Sequence, residues 1–186
     1  MTVKEVLALA AEHLQRPDLL KELEEYDGKR TLSGELASLL RCYNLTENEL
    51  ALDYIPVRAE EELVVEEHLI PWGRFSHAPA GVRAVLRAGR EIAFEPRKEG
   101  LFLPTAGSGR VCVRYCCSPE PKEPGDEGEF GGPVSARLLS FGVAREFCLS
   151  RGMFEEAKLW DSRYRAAVRA ADLPRRALSV RPRRWV

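Results

Sequence analysis

Two apolar stripes that meet at one glycine constrain this chain most. Between Pro133 and Ala171, the residues Ala136, Leu139, Val143 and Phe147 recur at helical spacing, with Ala144 and Cys148 beside them. Beyond Gly152, the set Met153, Ala157, Trp160, Tyr164, Val168 and Ala171 does the same. Steps of three and four residues place each set on one face of a helix. Gly152 stands where a left-handed cap stops the first helix, and Pro174 ends the second. The expectation is a helical hairpin over residues 133–173. Glu155 and Glu156 lie near the start of its second helix and Arg163, Arg165 and Arg169 towards its end, the order that the helix dipole favours.

The segments before the hairpin show two different periods. Thr2-x-x-Glu5 reads as a capping box, and Val6, Leu7, Ala10 and Leu14 follow at helical spacing, which predicts a helix from Val3 to Gln15. Pro17 and Asp18–Glu25 predict a second short helix that ends at Asp27-Gly28. Leu36, Leu40, Tyr43, Leu50 and Tyr54 share a helical face before Pro56. That stretch reads as one long helix or as two, with Thr46-x-x-Glu49 capping the new start. From Val57 to Cys117 short β-branched or aromatic runs replace helical spacing. Leu63–Val65, His68–Ile70, Gly81–Arg87, Glu91–Glu95, Leu101–Leu103 and Arg110–Cys117 are strand candidates, with Ala88-Gly89-Arg90 as a hairpin turn. In the last run Val111, Val113, Tyr115 and Cys117 share one face. These runs predict a small, mostly antiparallel sheet of four or five strands.

Ser118–Gly132 carries three prolines, four glycines and five acids and reads as a mobile acidic loop. The fold class expected is therefore α+β, as a single domain over residues 1–173. Its parts are N-terminal helices (1–55), a β insertion (56–117), the acidic loop (118–132) and the C-terminal helical hairpin (133–173). An extended basic arm (174–186) follows.

At 186 residues, 45% of them apolar and 31% charged, the chain can bury a core of its own. No apolar run approaches the roughly 20 residues that a membrane-spanning helix needs, and Met1–Glu5 opens no apolar leader. A cytoplasmic setting without a membrane partner is expected. The cysteines Cys42, Cys112, Cys116, Cys117 and Cys148 are odd in number and irregular in spacing, so they read as buried free thiols. Cys112-x-x-x-Cys116-Cys117 lacks the paired spacing of a zinc site. His13, His68 and His77 fall in three elements with no nucleophile at a useful spacing. Gly107-Ser108-Gly109 lacks the Gly-Lys-Ser/Thr of a phosphate loop, and Glu60–Glu62 and Glu66-Glu67 read as solvated faces. No residue is assigned a catalytic, metal or cofactor role, and a non-enzymatic protein is expected.

Charge gives the functional lead. Residues 133–186 hold twelve Lys/Arg against five Asp/Glu, and residues 1–132 hold sixteen against twenty-four. Such polarity suits head-to-tail self-association, or a basic end that meets an acidic partner. The candidate partner-binding residues are Arg175, Arg176, Arg181, Arg183, Arg184 and Trp185, in a tail that holds no acid. Nucleic-acid binding through the same basic segment is the alternative. A helix-turn-helix reading of Arg151-Gly152-Met153 fails because Glu155 and Glu156 would repel phosphates where base contacts are made.

A family resemblance rests on four stretches. They are Leu39-Leu40-Arg41-Cys42-Tyr43-Asn44-Leu45 through Glu47-Asn48-Glu49-Leu50-Ala51-Leu52-Asp53-Tyr54; Gly142-Val143-Ala144-Arg145-Glu146-Phe147-Cys148; Glu155-Glu156-Ala157 with Trp160-Asp161; and Arg183-Arg184-Trp185-Val186. In these and in its order of elements the chain resembles small proteins encoded among the head and tail genes of tailed phages and prophages of Gram-positive bacteria. More distantly, it is similar to the head-to-tail connector (adaptor) proteins that bind beneath the portal ring. The resemblance implies a structural virion-assembly protein, present in the host cytoplasm during assembly and then in the virion. It implies a homo-oligomeric ring under the portal, a C-terminal arm docked on the portal or a neighbouring tail or connector protein, and DNA contact in the channel.

Overall fold

The computed structural model describes residues 1–28, 31–132 and 134–172. The fold is α+β, with antiparallel sheets and a C-terminal pair of helices. The chain divides into two compact units, one formed by Met1–Glu47 with the segment from Lys122 onward, the other by Asn48–Pro121.

The first unit is helical: α1 (Val3–His13), α2 (Pro17–Glu25), α3 (Gly34–Glu49), α4 (Ala136–Ser150) and α5 (Phe154–Asp172). α1 starts on the expected capping box, with the Thr2 hydroxyl accepting the Glu5 N–H at 3.3 Å and the Glu5 carboxylate accepting the Thr2 N–H at 2.9 Å. It ends at His13, short of the expected Gln15, whose backbone turns to φ 56°. α3 resolves the one-or-two question as a single helix that continues into a π-helical turn, Leu50–Tyr54. Thr46 starts nothing: it lies inside α3 and its hydroxyl donates to the Cys42 carbonyl at 2.8 Å, a local bond that mid-helix threonines favour.

α4 is enclosed more completely than its stripe implies, since every residue from Leu138 to Arg145 is buried. α1 and α5 pack on it. α3 approaches it at Gly142, where a Cβ would run into Thr46 Cγ2 and come within 3.0 Å of the Tyr164 ring. The turn between α4 and α5 follows the expected cap. Gly152 has φ 73°, its N–H donates to Leu149 O at 3.1 Å, and the Met153 N–H donates to Cys148 O at 2.9 Å. On α5 the residues Ala157, Trp160, Tyr164, Val168 and Ala171 are buried as the spacing requires. Met153 does not join them, because it precedes the first turn of the helix and stays exposed.

The part of the acidic loop that belongs to this unit is pinned rather than mobile. Asn44 grips the Lys122 backbone from both sides, accepting its N–H at 2.8 Å and donating to its carbonyl at 3.2 Å. The carbonyls of Asp126 and Pro124 accept the N–H groups of Val3 and Lys4 at 3.0 and 3.1 Å, two amides that a helix start leaves free. The Glu129 N–H donates to Glu47 at 2.7 Å, and the same Glu47 oxygen accepts the Tyr43 hydroxyl at 2.8 Å. These bonds are made by the segment's backbone, which composition does not register; its one large apolar side chain, Phe130, is buried. Glu47 is fully buried, its second oxygen has no partner among the described residues, and burial pushes its carboxyl up.

The second unit holds β1 (Val57–Val65), β2 (Leu69–Pro71), β3 (Pro79–Arg87), β4 (Arg90–Ile92), β5 (Glu95–Pro96), β6 (Gly100–Phe102) and β7 (Gly109–Cys117). They form two antiparallel sheets, ordered β1-β7-β3-β4 and β2-β6-β5, where one sheet was expected. The run Glu91–Glu95 breaks because β4 pairs with β3 while β5 pairs with β6. β1 begins six residues before Leu63, masked in the sequence by Glu60–Glu62. Glu61 is tolerated on the inward row because it accepts the Tyr115 hydroxyl and, at 3.2 Å, the Ser76 N–H. Ala88 and Gly89 make the β3–β4 turn with φ 49° and 76°, the handedness that a two-residue hairpin needs. Val111, Val113, Tyr115 and Cys117 face the core with Leu63, Val65, Ile70, Val85 and Leu101.

Candidate partner-docking surface

The α4–α5 turn displays apolar side chains that the fold does not use. Leu149 is 43% exposed, Met153 37%, Phe154 62% and, one and a half turns along α5, Leu159 51%. Single exposed apolar residues are ordinary; here Leu149, Met153 and Phe154 fall within six residues of chain at the turn, and Leu159 follows on α5. The sequence stripes gave Phe154 and Leu159 no role. The signal was there, because both fall off the helical stripe of α5 at positions otherwise held by polar residues.

The backbone beneath this tip is held firmly. Arg145 is buried between the two helices, donating to Glu146 at 2.7 Å and to Asp161 at 3.4 Å, with its guanidinium 4.7 Å from the centre of the Tyr164 ring. A buried cation is tolerated only when it is paired in this way. Asp161 also takes Arg165 at 2.8 Å, an i,i+4 pair along α5. The charges of α5 are polarised: Glu155 and Glu156 flank the apolar tip, with Glu155 held by Lys158 at 2.7 Å, and Arg163, Arg165 and Arg169 occupy the other half.

The expected partner-binding residues Arg175, Arg176, Arg181, Arg183, Arg184 and Trp185 lie outside the described residues. In sequence they follow the basic end of α5, opposite the tip, and α5 at 19 residues spans about 28 Å. The cysteines are free, and Cys42, Cys116, Cys117 and Cys148 are buried. Burial pushes the Cys42 and Cys148 thiols up to about 11, which makes them poor nucleophiles at neutral pH. His13 stacks on Phe141 and Trp160, His68 contacts the Leu103 carbonyl at 3.1 Å, and His77 lies 3.6 Å from Glu120. Among the described residues no group of His, Cys, Asp and Glu is arranged to hold a metal ion, and no helix is long and apolar enough to cross a membrane. Searches against protein-family models and against curated proteins find no match to this chain.

Proposed function

We propose that this chain is a non-catalytic structural assembly protein of the head-to-tail connector kind, which joins copies of itself into a ring and docks on a portal through its basic C-terminal arm. The observation that carries the reading is the polarity of α5: an exposed apolar tip flanked by Glu155 and Glu156 at one end, arginines at the other. A contact between unlike ends of neighbouring copies is heterologous, and heterologous contacts close into rings when the rotation permits. The tip of one copy and the basic end of α5 in the next are complementary in charge, and Phe154 and Leu159 are the tip's aromatic and aliphatic anchors. The resemblance to connector proteins supports the portal as the arm's target.

Deleting Pro174–Val186 tests the docking role. The shortened chain is expected to keep its thermal unfolding transition and to lose retention on immobilised portal rings. Retention equal to that of the full chain would refute the role given to the arm. If the arm instead serves nucleic acid, the full chain will bind duplex DNA with an affinity that falls steeply with salt.

A further inference from the structure

The four-stranded sheet of the second unit has a core face and a polar face. On the polar face Arg58 of β1 stands opposite Cys116 of β7, and Glu60 opposite Arg114. The register of β3 against β7 slips between Val82 and Ala84, so Arg83 is the extra residue of a bulge. Bulges re-aim side chains, and this one brings the Arg83 guanidinium to 3.3 Å from Cys116 Sγ. Three neighbouring strands thus send Arg58, Arg83 and Arg114 to the rim of one hollow of about 610 Å³, a size within the range of small-molecule sites.

Of the three, Arg114 alone has a carboxylate partner among the described residues. It grips Glu60 with Nε at 2.9 Å and Nη2 at 3.3 Å. Arg58 makes no hydrogen bond or ion pair there, and Arg83 has the Cys116 sulfur. Three guanidinium groups around one hollow, against one glutamate, leave positive charge unneutralised.

We propose that this hollow is a binding site for a phosphoryl oxyanion. A planar carboxylate suits one guanidinium fork, the arrangement of Glu60 with Arg114, where Glu60 also accepts the Cys112 thiol at 3.0 Å. Donors arriving from three strands instead suit a tetrahedral group with oxygens on several sides. The group is a free phosphate or a phosphodiester of a nucleic-acid strand, and both are recognised by the same arginines.

The test uses the full chain, with inorganic phosphate followed through the Nε–H resonances of Arg58 and Arg83. Saturable shifts of both are expected. The R58Q/R83Q variant is expected to bind about a hundredfold more weakly, roughly tenfold for each of the two charge-assisted hydrogen bonds removed, and E60Q more tightly because it frees Arg114. All three positions are exposed, so each variant should unfold at the temperature of the wild type. A single-stranded oligonucleotide that displaces phosphate from these resonances identifies the phosphodiester as ligand; one that leaves them unmoved identifies the free ion. Shifts that do not saturate, that chloride reproduces at equal concentration, or that persist unchanged in R58Q/R83Q would overturn the assignment.

Discussion

The Arg151 guanidinium meets the Glu35 carboxylate at 3.0 Å, which ties the α4–α5 turn to the first turn of α3. The same guanidinium lies 5.1 Å from the centre of the Phe147 ring, and Glu35 is also gripped by Arg16, which holds its carboxyl below the ordinary range. Exposed pairs of this kind add little to stability. Their effect here is positional: a tip already fixed loses less freedom when a partner covers it. Arg151→Ala is therefore expected to weaken self-association several-fold while leaving the thermal midpoint almost unchanged, read by sedimentation and calorimetry on one preparation.

Gly142 sets the approach of α3 to α4. Its Cβ in Gly142→Ala would meet Thr46 and Tyr164 in a fully packed site, and overpacking of this kind costs about 1–3 kcal/mol. Urea titration should show that loss, and Thr46→Ala in the same chain should recover part of it. A Gly142→Ala chain as stable as the wild type would mean that the helices do not pack so closely.

Glu47 holds the acidic segment with a buried carboxylate whose pKa is raised, chiefly by desolvation, with Glu129 adding to it and the Tyr43 hydroxyl, the Glu129 N–H and Lys122 opposing. The folded state then binds its proton more tightly than the unfolded state. The stabilising contribution is complete below the ordinary carboxyl value of 4.5 and is lost as pH rises through the higher folded value. Gln keeps the accepting oxygen and carries no charge. The stability gap in favour of Glu47→Gln should widen as pH rises from 4.5 to neutrality; a gap independent of pH would contradict the burial of a titrating group.

His13 works in the opposite sense. Burial and the neighbouring Arg163 and Arg137 lower its pKa from 6.5, and its ring stacks 5.1 Å from Phe141 and 5.0 Å from Trp160. Its contribution is complete above 6.5 and is lost as pH falls from there through the lower folded value, because the unfolded chain takes the proton first. Against a His13→Leu reference, the wild type should lose stability between pH 7 and pH 5. Parallel pH profiles would show that the ring titrates normally.

The residues explain why some of this was legible in the sequence. The capping box at Thr2, the α5 stripe from Ala157 to Ala171 and the inward face of β7 each rest on local spacing, and each formed as read. Thr46 misled because a capping signature is also a legitimate interior sequence when its hydroxyl bonds back to Cys42. The acidic segment hid its order because its partners, Asn44, Glu47 and the α1 amides, are distant in sequence and meet its backbone. The arginine-lined hollow was unreadable because it needs the β1–β7–β3 register and a bulge at Arg83. Phe154 and Leu159 could have been found by asking which apolar residues the stripes leave over.

The most direct test of assembly through the tip is sedimentation velocity over a concentration series, comparing the full chain with Phe154→Asp. The full chain is expected to pass from the 20.9 kDa monomer to larger species as concentration rises, and Phe154→Asp, exposed and therefore folded, to remain monomeric. Two chains that sediment alike at every concentration would contradict it.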